Sequence, residues 1–137
     1  MKNIKVIQAP LAGISDTIYR NLVREKSKET LLTTEMISSE ALVNNQKTLI
    51  IEYDKSQYPL SFQLSGHKPH IMARAAKFLN ERASSIDINF GCPVNKVVKG
   101  TDGAAMMRNP KLASDIVKAI KDVIDVPLSA KFRLGWS

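Results

Sequence analysis

The stretch SSIDINF, residues 84–90, alternates polar and apolar side chains. Successive side chains of a β-strand point to opposite faces. Ser85, Asp87 and Asn89 therefore share one face, and Ile86, Ile88 and Phe90 share the other. Three more stretches carry a polar stripe of the same kind. PLSFQLSG (59–66) offers Ser61, Gln63 and Ser65, and VPLSAKFRLG (126–135) offers Ser129, Lys131 and Arg133. LLTTEM (31–36) adds Thr33 and Glu35 at the same spacing.

Helical patterns separate these strands. Residues 16–27 read as a helix capped by Ser15 or Asp16, and residues 37–46 as a weaker one. Residues 69–82 place Pro69 in a first turn, and residues 109–125 follow Asn109 as cap and Pro110 as first residue. With IKVIQAP (4–10) as a first strand, the sequence predicts five strands and four helices. Strands alternating with helices predict parallel βαβ units.

Two architectures fit that order, a doubly wound open sheet and a (β/α)8 barrel. Parallel strands covered on both faces usually read as near-continuous apolar runs, and these do not. Burying so many polar groups without partners would cost about 1–3 kcal/mol each. A barrel interior that opens into a binding site at its C-terminal mouth supplies partners, and Gln63, Asn89, Lys131 and Arg133 lie near the C-terminal ends of their strands. The fold predicted is α/β, the N-terminal part of a (β/α)8 barrel. A complete barrel needs about 250 residues. The sequence has 137 and stops at GWS after a strand, so residues 1–137 are expected to be the first part of a longer barrel.

Composition narrows the function classes. The sequence is 44% hydrophobic and 24% charged, as in a globular domain, and no apolar run approaches transmembrane length. A net charge of +7 suits a polyanionic partner such as nucleic acid, or else a plain lysine-rich surface. One cysteine forms no internal disulfide, and with no signal peptide a cytoplasmic location is expected. One cysteine with His67 and His70 is a poor metal-ligand set, so no metal is expected; both histidines read as solvated loop or helix-start residues. No G-x-G-x-x-G or P-loop pattern occurs.

The single thiol, Cys92, directly follows the SSIDINFG strand, which in a barrel puts it in a βα loop at the catalytic face. Gly91 permits close backbone approach and Pro93 fixes the chain beyond. The loop KGTDGAAMM (99–107), with Lys96 and Lys99, reads as a lid, a polyanion contact or a solvated loop. Lys131, inside a parallel strand, needs an anionic or polar partner; Glu35, Asp87 and a bound cofactor are the candidates.

APLAGISDTIYR (9–20), TTEMISS (33–39), FQLSG (62–66), DINFGCPVNKVVKGTDGAAMM (87–107) and KFRLGW (131–136) together make the sequence resemble the tRNA-dihydrouridine synthases, most of all their bacterial branch. The resemblance runs in order over nearly the whole chain. It implies an FMN-dependent barrel enzyme that reduces uridines of tRNA with NADPH. It implies Cys92 as proton donor to C5 of the uracil, and Pro10, Leu11 and Ala12 as a backbone cradle for the flavin. Gln63 and Lys131 would hydrogen-bond the flavin, and Asn89 would lie by flavin and base. Lys96 and Lys99 would suit tRNA phosphates, and Arg133 would face the same pocket. The family usually has methionine where this chain has Leu11, a nearly volume-conserving change. Its barrel continues through three more strands and then a helical tRNA-binding domain, so the chain would be its N-terminal portion. The competing readings are another FMN barrel dehydrogenase, such as one resembling dihydroorotate dehydrogenase, and an inactive fragment or RNA-binding remnant.

Overall fold

The computed structural model of the chain describes residues 4–44, 51–94 and 101–135. Among the described residues, five parallel strands form one sheet: β1 (Leu32–Thr33), β2 (Ile37–Ser38), β3 (Leu60–Ser65), β4 (Ser85–Phe90) and β5 (Leu128–Phe132). Four α-helices accompany them among the same residues: α1 (Thr17–Lys26), α2 (Ser39–Val43), α3 (Pro69–Asn80) and α4 (Pro110–Lys121). The strands run β1-β3-β4-β5 across the sheet, with β2 also on β3. A doubly wound sheet reverses its strand order at a switch point. Here the order is sequential and each crossover steps the same way, which is the arc of a (β/α)8 barrel.

Helix ends follow local chemistry. Asp16, rather than Ser15, caps α1 by accepting from Tyr19 N at 2.8 Å. Asn109 caps α4 by accepting from Leu112 N at 3.1 Å, and Pro110 takes the first position, where its missing N–H costs nothing. Met72, Ala75, Ala76 and Leu79 of α3 and Ile116 and Ile120 of α4 are buried against Leu60, Phe62 and Leu64 of β3 and Ile86, Ile88 and Phe90 of β4. These strand residues are the apolar stripes; the polar stripes face the other side.

Three elements depart from the sequence reading. Residues 4–10 contribute only an isolated bridge, Ile7 to Leu31, with hydrogen bonds from Leu31 N to Val6 O and from Gln8 N to Leu31 O. The ladder stops there because the buried Gln8 turns its side chain inward, and its Oε1 accepts from Thr33 N at 3.0 Å, replacing a backbone partner.

The weak helix expected over 37–46 begins instead as strand β2, with helix at Ser39–Val43; residues 45 and 46 lie outside the described residues. Register explains the change. Thr33 pairs with Ser61 and Ile37 with Leu64, so residues 34–36 oppose only Phe62 and Gln63, a bulge of one residue. Thr34 Oγ1 fills the gap by accepting from Gln63 N at 3.1 Å. The bulge turns Glu35 and Met36 toward the mouth of the sheet.

The fifth strand ends at Phe132, short of the 126–135 expected. It pairs with β4 alone, and Ser129, Lys131, Phe132 and Arg133 are exposed.

Candidate active site

The polar stripes meet in register. Ser61 pairs with Ser85, Gln63 with Asp87, Asp87 with Ser129 and Asn89 with Lys131. Neighbouring strands in a sheet lie about 4.8 Å apart, so these side chains bond to one another. Gln63 Nε2 donates to Asp87 Oδ2 at 2.6 Å, and Ser129 Oγ donates to Asp87 Oδ1 at 2.6 Å. Asn89 Nδ2 donates to Gln63 Oε1 at 2.9 Å. Gln63 is fully buried, and this network satisfies it. The Ser61 and Ser85 hydroxyls, one layer below, have no protein partner among the described residues.

The network ends at the cysteine. Asn89 Oδ1 accepts from Gly91 N at 3.1 Å and from Cys92 N at 2.9 Å. Beyond it, Ala104 N donates to Cys92 O at 3.0 Å. Gly91 suits a close approach: a Cβ there would lie 3.3 Å from the Lys131 carbonyl oxygen and 3.5 Å from Arg133 Cγ. The ends of β4 and β5 are therefore in contact at the cysteine.

A cleft of about 200 Å3 at this end of the sheet is lined by Pro10, Leu11, Ala12, Gln63, Asn89, Cys92 and Lys131, with Met36, Gly91 and Pro93. A second cleft of about 340 Å3 shares Pro10 and Lys131 with it and runs over Thr33, Ser61, Asp87 and Ser129. The seven residues expected in catalytic or cofactor-binding roles thus line one cavity. Arg133 lies on the exposed run after β5, outside the cleft lining. Lys96 and Lys99 fall outside the described residues.

In the 137-residue chain the Lys131 side chain is exposed on β5, which pairs with β4 among the described residues. No carboxylate of Glu35 or Asp87 lies within 4.0 Å of its ammonium. Glu35 instead accepts a hydrogen bond from Gly13 N, in the turn after Ala12. Ser15, buried beneath, accepts from Leu11 N at 2.9 Å and donates to Leu11 O at 3.1 Å. These two residues fix the Pro10–Ala12 segment, and sequence reasoning gave neither of them that task. Gly13 has φ +77°, a conformation that glycine adopts without strain.

Behind this segment, Arg20 is buried and donates to Gln57 Oε1 (2.9 Å), Ser15 O (2.6 Å), Thr17 Oγ1 (3.0 Å) and Glu52 O (2.6 Å). Burial pulls its pKa below the ordinary value, and the charges of Glu35, Asp16 and Glu52 oppose that shift. Nothing in the sequence pattern marked Arg20 as a buried brace.

The histidines also separate. His70 is exposed at the start of α3, as read, but His67 is half-buried with its Nδ1 2.8 Å from Asp102 Oδ1. Among the described residues no cluster of three His, Cys, Asp or Glu could hold a metal ion, and no helix is long and apolar enough to cross a membrane.

Comparison with known proteins places the chain among relatives. The family model described as dihydrouridine synthase matches residues 7–137. A probable tRNA-dihydrouridine synthase 1 of Synechocystis is 42% identical over 96% of this chain and 38% of its own length. A tRNA-dihydrouridine(20/20a) synthase of Vibrio parahaemolyticus is 39% identical over 93% of the chain and 39% of its own length. A tRNA-dihydrouridine synthase B of Shewanella oneidensis is 38% identical over 99% of the chain and 42% of its own length. The chain thus spans about two fifths of the length of these relatives.

Proposed function

The chain belongs to the dihydrouridine synthase family, and from that premise we propose that the complete enzyme reduces uridines of tRNA to 5,6-dihydrouridine in a flavin-dependent reaction. The observation that carries the reading is the convergence of Cys92, Gln63, Asn89, Lys131 and the Pro10–Ala12 segment on one cleft. FMN, reduced by NADPH, would supply the hydride that adds to C6 of the uracil.

The donor set fits such a cofactor. Lys131 offers an ammonium with no carboxylate of the described residues within 4.0 Å, suited to a flavin ring that carries negative charge when reduced. Gln63 and Asn89 add amide groups held rigid by Asp87 and by each other. Pro10, Leu11 and Ala12 add a short backbone wall fixed from behind by Ser15 and Glu35.

Cys92 completes the site as a general acid. Hydride addition at C6 leaves C5 in need of a proton, and a positioned thiol supplies it. The backbone of Cys92 is held at both ends, its N–H by Asn89 and its carbonyl by Ala104 N. That restraint suits proton delivery to one ring atom, since effective acid catalysis depends on hydrogen-bond reach. The target base leaves its stack to enter the cleft. Lys96, Lys99 and Arg133, with the net charge of +7, would bind backbone phosphates of tRNA.

The test is the complete enzyme carrying Cys92→Ala. Flavin content is expected to stay at the wild-type level while dihydrouridine in tRNA disappears. Wild-type dihydrouridine levels in that variant would overturn the assignment.

A further inference from the structure

We propose that His67 and Asp102 act as a positioning pair for Cys92. The pair joins two loops at the C-terminal end of the sheet, 35 residues apart in sequence, through His67 Nδ1 and Asp102 Oδ1 at 2.8 Å. Asp102 precedes the 3-10 turn Gly103–Arg108, and its second residue, Ala104, donates to the Cys92 carbonyl at 3.0 Å. Whatever fixes Asp102 therefore fixes the donor that holds Cys92.

The backbone around Asp102 shows that it is held. Thr101 has φ +65° and Gly103 has φ +59°, so left-handed residues flank it on both sides. A threonine in that region is unfavourable and persists only where surrounding contacts impose it.

The other partner stands on firm ground. Gly66 is packed so tightly that a Cβ there would lie 2.2 Å from Ser39 Oγ and 2.7 Å from Met72 Sδ. Lys68, on the far side of His67, pairs with Glu40 of α2 at 2.7 Å. His67 is thus presented from a rigid turn at the end of β3, and the imidazole–carboxylate bond carries that rigidity to the cysteine segment. With Asn89 on its N–H, Cys92 is braced from β3 by two routes, through Gln63 and through His67.

The role in the reaction rests on the reading of Cys92 as the proton donor, but the positional claim is tested without activity. Cys92 is the only thiol in the 137-residue chain, so its reaction with 5,5′-dithiobis(2-nitrobenzoate) reports on this site alone. The thiolate attacks the reagent's disulfide, forms a mixed disulfide and releases one thionitrobenzoate. His67→Ala and Asp102→Ala are each expected to raise the rate constant about fivefold, the scale of one lost hydrogen bond. The double variant is expected to react no faster than either single one, because both remove the same contact. His67→Asn, whose amide can replace Nδ1, is expected to return the rate to within about twofold of wild type. His67→Phe keeps a ring of similar bulk without its nitrogens and, with its far-UV spectrum unchanged, is expected to react like His67→Ala. Wild-type rates in the alanine or phenylalanine variants would overturn the proposal, as would rates that multiply in the double variant. A complete enzyme with Cys92→Ala that still made dihydrouridine would defeat the functional reading and leave the positional one standing.

Discussion

Asn89 Oδ1 holds the backbone N–H of Cys92 at 2.9 Å, while the same side chain's Nδ2 donates to Gln63 Oε1 at 2.9 Å. One amide therefore ties the cysteine to a network that crosses three strands to Asp87 and Ser129. The site is an extension of the sheet's polar face, and its rigidity is that of the barrel interior.

Asn89 is accordingly expected to be a positioning residue. Asn89→Ala removes the acceptor for both Gly91 N and Cys92 N and unties Gln63. In the complete enzyme, uridine reduction is expected to fall by about 100-fold, the lower end of what general acid catalysis contributes. Cys92→Ser in the same background would show whether the loss runs through the cysteine. A further loss as large as that caused by Cys92→Ser in wild type would count against the coupling, because residues acting as one unit are non-additive.

Asp87 is the hub beneath. It is 8% exposed and accepts two hydrogen bonds, both at 2.6 Å. Asp87→Ala strands the Gln63 amide in the interior and is expected to destabilise the chain by about 1–3 kcal/mol. Asp87→Asn keeps the size and one acceptor and is expected to cost less. Urea denaturation followed by far-UV circular dichroism measures both; a wild-type midpoint in Asp87→Ala would argue that the carboxylate is not the hub.

Much of this arrangement was legible in the sequence because strands have a strict period of two. The stripes of β3 and β4 came into register as the cross-strand pairs Ser61–Ser85 and Gln63–Asp87, and the cysteine followed from its place after β4. What escaped was long-range or local in ways a period does not carry. Gln8 ends the first strand with its side chain, and Thr34 opens a bulge that turns expected helix into β2. His67 meets a residue far along the chain, and no spacing rule brings them together. Of the partners weighed for Lys131, neither Glu35 nor Asp87 pairs with it, because Glu35 is turned to Gly13 N and Asp87 is taken up by Gln63 and Ser129.

Arg20 braces the Pro10–Ala12 segment from behind through four acceptors on Ser15, Thr17, Glu52 and Gln57. Lysine cannot reproduce that fork of donors. Arg20→Lys is expected to cost about 1–3 kcal/mol by leaving buried carbonyls unpaired. Thermal unfolding of the two chains compares them directly, and an unchanged midpoint would show that the carbonyls find other donors.

Gly66 tests the packing under His67. An alanine there must displace Ser39 Oγ and Met72 Sδ, both in the dense contact of α2 and α3 with the sheet. Gly66→Ala is expected to destabilise by about 1–3 kcal/mol, the usual scale of overpacking. Gly66→Ala combined with Ser39→Gly, which vacates the nearest atom, is expected to recover part of that loss. Gly66 also has φ +157°, which strains any side chain, so no recovery in urea denaturation would place the cost in the backbone or at Met72 rather than at Ser39.

The last expectation concerns the open edge. β5 pairs only with β4, and Phe132 is 58% exposed beside an apolar groove formed with Phe90, Met106, Met107, Pro110 and Val117. An unpaired strand next to exposed apolar surface is a template for another chain. The 137-residue chain is therefore expected to self-associate as its concentration rises, with scattering that grows faster than linearly. Phe132→Glu puts a charge on the edge and shortens the groove, and it is expected to shift association to several-fold higher concentration. Because Phe132 touches Phe90 at 5.4 Å between ring centres, some stability is lost as well, so light scattering must be read on samples with matched far-UV spectra. A monomeric wild-type chain across that range would mean that the edge is protected by some contact other than pairing.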